Sequence, residues 1–509
     1  MLARLHSVTL DGIEGVICEV EVDVGRGGFE KSIIVGLPDA AVKESTERVR
    51  SAIVNSGYKH PKTQSLINLA PADVKKAGPA FDLPIALGML VGQNALASSI
   101  LSDTIIVGEL ALDGRVRPVN GVLSMAMSAA AGGFSRMLVP LDNAQEAAVV
   151  QDIEVFGVGS LAQAVGFLSG QLPLETTNVD IEELFNVSAS YDVDFADVKG
   201  QESVKRALTI AAAGGHNIMM IGPPGAGKTM LSQRLATILP PLSLKQSLET
   251  TRVYSSVGLL GKNRALLAIR PVRTPHHSAS GPALVGGGSA PRPGELSLAH
   301  FGILFLDEFV EFPRHVLEMI RQPLEDGFVI VSRAKKTVRF PAQFMLVAAM
   351  NPCPCGYFGS DARQCKCTPG QIRRYFSKVS GPLVDRIDIH IDVPAISFRK
   401  LRSKSNQLDS AVMRSDVVRA AAVQAERFGD GKIHTNARMS HKQVEKFCKL
   451  DSTGEMLLKQ AMHEFGLSAR AHDKICKLAR TIADLAGVRE IAAEHIAEAI
   501  SYRKLDRKL

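Results

Sequence analysis

The chain has 509 residues, more than one hydrophobic core usually supports, so two or three domains are expected. Hydrophobic residues make up 46% and charged residues 22%, the balance of an ordinary soluble globular protein. "MLARLHSVTLDG" lacks the apolar core of a secretory signal, and the best apolar stretch, "DLPIALGMLVGQNALASSI", is broken by Gln93 and Asn94; a cytoplasmic protein with no membrane partner is expected. The net charge is +7. From Arg399 onward there are 22 Lys and Arg against 14 Asp and Glu, an excess that suits either a phosphate backbone or solvated helix faces.

In chain order, residues 1–168 show short apolar runs, "SLINLAP", "TIIVGEL" and "RMLVPL", alternating with Ala-rich helical patterns, which indicates an α/β domain. The polar stretch that follows reads as a linker over 169–192. A second α/β unit over 193–396 carries "IMMIGPPG", "GILFLDE", "QFMLVAAMN" and "IDIHIDVP" as buried strands of a parallel sheet. Over 397–509 only helical periodicity is found, as in "SDVVRAAAVQAERF". "SASGPALVGGGSAPRPGE" is too rich in Gly and Pro for a regular element and is expected to be a long loop.

"GPPGAGKT" runs from Gly222 through Pro223, Pro224, Gly225, Ala226, Gly227 and Lys228 to Thr229, after an apolar strand and before a helical run. Its glycines let backbone N–H groups point at a β-phosphate beside a helix N-terminus. Lys228 is placed to neutralise β- and γ-phosphate oxygens, and Thr229 to ligate Mg²⁺. "ILFLDE" ends an apolar strand in two carboxylates: Asp307 suits the metal shell, Glu308 the orientation and deprotonation of a water. "FMLVAAMN" ends in Asn351, whose amide can bridge that water and the γ-phosphate. ATP and Mg²⁺ are the implied ligands.

Cys353, Cys355, Cys365 and Cys367 form two Cys-x-Cys pairs in "NPCPCGYFGSDARQCKCTPG". Four thiolates can close a tetrahedral, structural Zn²⁺ site, although the single-residue spacing is tighter than in common zinc ribbons; packing, iron–sulfur or redox roles are the alternatives. Cys18, Cys448 and Cys476 are scattered, as core thiols are. The neighbouring His276 and His277 admit either metal ligation or loop packing. "FVIVSRAKKTVRFPAQF" reads as a β-hairpin with Arg333, Lys335 and Lys336 at its tip, either a solvated surface feature or a sequence-independent contact to DNA phosphates.

These motifs together resemble the AAA+ ATPases, and the whole run, including "RPVRTPHHSASGPALVGGGSAPRPGE", is similar to the ComM/YifB family of magnesium-chelatase-like members. The resemblance implies a P-loop core with a parallel sheet, a C-terminal helical lid and a ring-shaped homo-oligomer, a hexamer. It gives Gln201 in "DFADVKGQ" as an adenine contact, Arg386 in "GPLVDRIDIHIDVP" as the finger that reaches a neighbour's γ-phosphate, and Arg470 in "GLSARAHDKICKLARTIADL" as a second sensor. It implies a DNA motor that drives branch migration of recombination intermediates in natural transformation; an ATPase that remodels a partner protein is the rival. The first domain resembles the Lon-protease (ribosomal S5 domain 2-like) fold. Where Lon carries its Ser and Lys, in "GPAFDLPIAL" and "PVNGVLSMAMSAAAGGF", this chain has Ala80 and Leu123, so that proteolytic dyad is missing.

Overall fold

A computed structural model describes residues 2–25, 31–97, 101–187, 191–261, 264–288, 291–333, 336–359, 363–395, 408–429 and 435–503. The chain divides into two compact units, Met1–Ser188 with Leu244–Ala268, and Ala189–Ser243 with Ile269–Leu509. No described helix is long and apolar enough to cross a membrane.

The first unit is built on a mixed seven-stranded sheet in the order Lys31–Val35, Gln64–Ala70, Glu14–Val24, Leu2–Asp11, Thr104–Ile106, Arg136–Pro140, Glu154–Val158. The three strands foreseen from apolar runs are present. The long hairpin Leu2–Asp11/Glu14–Val24, paired from Leu2↔Asp23 to Asp11↔Glu14, was not foreseen, because its second strand alternates in burial (Cys18, Val20, Val22 and Val24 inside) and holds no apolar run longer than Val16 to Cys18. Ala80 and Leu123 are both buried; the Leu123 N–H donates to Glu146 Oε1 at 3.0 Å, so these positions serve the core.

Helix Leu244–Ser256 lies in sequence after the P-loop helix, yet it packs within the first unit. Its Arg252 Nε donates to Ser124 Oγ at 3.2 Å, its Ser255 hydroxyl to Glu146, and Ala265 and Leu266 just beyond it cluster with Leu123 and Val149. Burial drives the Glu146 carboxyl above its usual range against the opposing hydrogen bonds of Ser255, Leu123 and Asn143.

The second unit carries a five-stranded, all-parallel sheet in the order Val272–Arg273, Ile303–Leu306, Met345–Met350, Ile218–Ile221, Ile389–Asp392. Four of these strands are the apolar runs of the sequence; the fifth is a two-residue edge strand in the "RPVRTPHH" segment. The Gly- and Pro-rich stretch that follows is not all loop. Helix Gly281–Val285 forms there, with Ser280 Oγ accepting from the Ala283 N–H at 3.4 Å and Pro282 in the first turn, a start for which proline is suited.

Helices Ser410–Phe428, Ser452–Phe465 and Ala469–Leu485 of the C-terminal region begin at Asp409, Asp451 and Ser468, each side chain accepting a backbone N–H of its first turn, caps of about 1 kcal/mol apiece. Their apolar faces, with that of helix Ala493–Ser501, share one core with the sheet and the helices on it: Val417, Ile475, Ile482 and Ile496 are continuous with Leu208, Leu231, Phe305 and Val347. A buried knot reinforces it, Arg427 and Arg480 both donating to Asp484 at 2.5 and 3.1 Å.

Candidate nucleotide site and cysteine cluster

Register places the site. Ile221 pairs with Met350 and Leu306 with Ala348, so the residues that follow, Gly222, Asn351, Asp307 and Glu308, emerge together at the carboxyl edge of the sheet. Ile218–Ile221 lies between Met345–Met350 and the edge strand Ile389–Asp392, and the carboxyl ends of such strands are where open parallel sheets bind ligands. A cavity of about 450 Å³ opens there, lined by Pro224 through Met230, Asp307, Glu308, Met350 and Asn351.

The loop from Gly222 to Gly227 turns tightly into helix Lys228–Ile238, with Gly225 and Gly227 at φ 76° and 83°, backbone values that side chains resist. Lys228 is 9% exposed, and its ammonium donates to Gly222 O at 2.6 Å, Pro223 O at 3.1 Å and Asn351 Oδ1 at 3.1 Å. Burial lowers the Lys228 pKa while the Asp307 charge opposes that shift. Thr229 Oγ1 donates to Asp307 Oδ2 at 2.7 Å, which brings the two expected magnesium-binding side chains together. Glu308 sits at φ 50°, its N–H donating to Asp307 Oδ1 at 2.9 Å.

Gln201 is buried, and its Nε2 donates to Ala226 O at 2.9 Å and Pro394 O at 3.1 Å, while Oε1 has no hydrogen-bond partner among the described residues. A buried acceptor left open next to the phosphate loop fits the amino group of an adenine. The lead-in segment is held by the P-loop helix, where Arg234 donates to Asp194 O and to Asp197 Oδ2, each at 2.7 Å.

Of the two arginines the resemblance singles out, Arg386 is expected to reach a neighbour's nucleotide and Arg470 this chain's own. Arg386 lies 2.7 Å from Glu325 Oε1 and donates to Pro382 O at 2.7 Å. Arg470 is exposed on the first turn of helix Ala469–Leu485, and neither lines the cavity. The basic hairpin forms as Phe328–Arg333 and Lys336–Pro341, with Arg333↔Lys336 its last pair. Val329, Val331, Val338 and Phe340 face inward and Arg339 covers the Phe328 ring at 3.5 Å. Lys335 lies outside the described residues.

The four cysteines converge: all four sulfurs lie within 4.8 Å of one another. Cys353–Cys355, Cys353–Cys365 and Cys355–Cys365 are 3.3, 3.7 and 3.6 Å apart, and a tetrahedron with Zn–S bonds of about 2.3 Å has edges of about 3.8 Å. The backbone N–H groups of Lys366 and Tyr357 pull Cys355 down to about 6. Cys367, despite the N–H of Cys355, is pushed up to about 12 by burial and by the sulfurs of Cys355 and Cys353, so a second thiolate at this spacing is disfavoured unless a cation offsets its charge.

Sequence reasoning left two neighbours unconnected. Among the described residues the cysteines are the one group of three or more metal-capable side chains, and His277 instead lies 3.1 Å from Glu308 Oε2. Tyr375, on helix Pro369–Phe376 beyond the last cysteine, is buried, with its hydroxyl pKa raised by burial and by Glu311 against a hydrogen bond to the Asn351 backbone. Both contacts join residues distant in sequence, and only the sheet register of the edge strand signals the first.

Three family models cover most of the chain: "Magnesium chelatase, subunit ChlI" matches residues 194–401, "Subunit ChlI of Mg-chelatase" 20–143 and "Magnesium chelatase, subunit ChlI C-terminal" 407–503. The chain is 44% identical to competence protein ComM of Haemophilus influenzae, over 100% of this chain and 98% of that one. It is 40% identical to YifB of Salmonella typhimurium over the same shares, and 27% identical to the magnesium-chelatase 38 kDa subunit of Rhodobacter capsulatus over 31% of this chain and 50% of that one. With the phosphate loop, the paired carboxylates and the helical region all in place on a five-stranded parallel sheet, the chain belongs to the ComM/YifB family of magnesium-chelatase-like AAA+ ATPases.

Proposed function

We propose that the protein is a ring-forming ATPase that moves DNA strands and drives branch migration of recombination intermediates. The observation that carries the ATPase part is the cavity in which Lys228, Thr229, Asp307, Glu308 and Asn351 converge. Thr229 and Asp307 would hold the magnesium ion, which when bound neutralises phosphate charge. Lys228, now spending its donors on loop carbonyls and Asn351, would turn them to the β- and γ-phosphates. Glu308 would take a proton from the water whose oxygen attacks the γ-phosphorus as the bond to the bridging oxygen breaks, releasing ADP and phosphate. Arg386 would act on a neighbouring subunit's nucleotide after leaving Glu325, and Arg470 would sense nucleotide from the lid.

The DNA part is supported by full-length likeness to a competence protein and by the hairpin that ends in the pair Arg333↔Lys336, with Lys335 between them in the sequence. Zinc at Cys353, Cys355, Cys365 and Cys367 is supported by their sulfur spacing. It would hold the segment between Asn351 and Tyr375 in shape. A protein-remodelling role is the second reading, favoured by the matches to magnesium chelatase families. ATP turnover with and without single-stranded or branched DNA separates the two: stimulation lost in the Lys335→Ala, Lys336→Ala double variant supports the DNA motor. Turnover indifferent to DNA at low salt supports the second reading.

A further inference from the structure

We infer that the cysteine loop is a wall of the nucleotide site: zinc at Cys353, Cys355, Cys365 and Cys367 and nucleotide at the phosphate loop strengthen each other's binding through the contact of Gly356 with Pro224. The inference rests on the proposed readings of both places, the cavity as a nucleotide site and the four sulfurs as a zinc site.

Gly356 stands between Cys355 and Tyr357 and is buried. It lies against Pro224, a residue of the phosphate loop that lines the cavity. A methyl group on its α-carbon would stand 2.6 Å from Pro224 Cδ and 2.8 Å from Pro224 Cγ, closer than carbon atoms pack, and 3.9 Å from Asn351 Cγ. Its φ of 84° lies in the left-handed region that glycine enters freely, and its N–H closes a turn onto Cys353 O at 2.9 Å. The sulfurs on either side therefore set the backbone course through this contact. They are oriented in turn by backbone donors, as metal ligands are by the groups around them: the Phe358 N–H reaches Cys353 Sγ at 3.3 Å and the Cys367 N–H reaches Cys365 Sγ at 3.4 Å. The far end of the loop is fixed as well. Straight after Cys367, Thr368 and Gln371 exchange hydrogen bonds of 2.9 and 3.3 Å that start helix Pro369–Phe376, and the Tyr375 hydroxyl on that helix is hydrogen-bonded to the Asn351 backbone. The loop thus reaches the cavity by two routes, at Pro224 and at Asn351, which accepts from Lys228. Removing the cation removes the common centre of the four sulfurs and frees Gly356 to leave Pro224. Nucleotide must then order the phosphate loop and the cysteine loop together, and it binds more weakly. By linkage, zinc binds more tightly by the same factor when nucleotide is present.

The test takes the full chain as purified, stripped by a zinc-selective chelator in excess Mg²⁺, and reloaded with Zn²⁺, and titrates each form with a fluorescent ADP analogue. Zinc affinity is read by competition with the same chelator, with and without saturating ADP. ADP affinity should fall about fivefold or more on stripping and return on reloading, and zinc affinity should tighten by the same factor when ADP is bound. Gly356→Ala keeps every cysteine and sets a methyl group against Pro224; it should hold zinc and bind ADP about fivefold or more weakly. Equal ADP affinity in the stripped and reloaded chains, or natural ADP affinity in zinc-loaded Gly356→Ala, would overturn the inference and leave both sites standing. Should the stripped chain unfold, Gly356→Ala decides; should Gly356→Ala fail to hold zinc, the stripped and reloaded natural chain decides. A chain that takes up no zinc would remove the metal site and the inference with it, whereas one that binds ADP in neither form would remove the nucleotide site itself.

Discussion

His390 gives the second unit an acid-sensitive joint. It lies in the edge strand Ile389–Asp392, is 1% exposed, and is faced by Arg503, Lys474 and Asp388. Burial holds its imidazole well below the ordinary range, the Arg503 and Lys474 charges push the same way, and Asp388 opposes them. In the unfolded chain the ring takes a proton near pH 6.5; in the folded chain it stays neutral. Its contribution to stability is therefore complete above that value and is lost as pH falls toward the folded one. At about 1.4 kcal/mol per pH unit, the loss between pH 7.5 and pH 5.0 is about 2 kcal/mol. Native-state hydrogen exchange of the Ile389–Asp392 strand, corrected for intrinsic rates, reads this without requiring both units to unfold together. The opening free energy of the natural chain should fall by about 2 kcal/mol more than that of His390→Leu over the same pH interval. An equal fall in both chains would refute the reasoning.

Two further outcomes concern the oligomer and the cysteines. Arg386→Ala should bind ATP and fail to hydrolyse it, and mixing it with Lys228→Ala subunits should restore turnover at mixed junctions; no rescue in oligomers shown to be mixed contradicts a finger acting between subunits. Purified protein should carry one zinc per chain, and Cys353→Ser should lose it together with several degrees of thermal stability. Zinc-free protein whose Cys353→Ser variant melts unchanged contradicts a metal staple.

The phosphate loop and both carboxylates were legible in the sequence because each is local: a few apolar residues make a buried strand, and the chemistry follows at its end. The hairpin was legible for a similar reason, since Val338 and Phe340 alternate with Thr337 and Arg339 and, with Val329 and Val331, make one buried face. Contacts that depend on register or on packing between distant segments were not. His277 meets Glu308 only because a two-residue edge strand pairs with Ile303 and Leu304, and nothing in "RPVRTPHH" announces so short a strand. Helix Leu244–Ser256 has the periodicity of any amphipathic helix, so its sequence does not say that Ser255 will join Glu146 and Leu123 in the first unit. The four cysteines announced a cluster by their count, whereas the link from that segment to Asn351 through Tyr375 needed the fold.

The central claim is that ATP hydrolysis at this cavity moves DNA strands. Its most direct test is release of a labelled strand from a synthetic branched DNA, followed with ATP and Mg²⁺ for the natural chain and for Glu308→Gln. The account predicts ATP-dependent strand release by the natural chain and none by the variant. Vigorous ATP hydrolysis with every branched molecule left intact would contradict it.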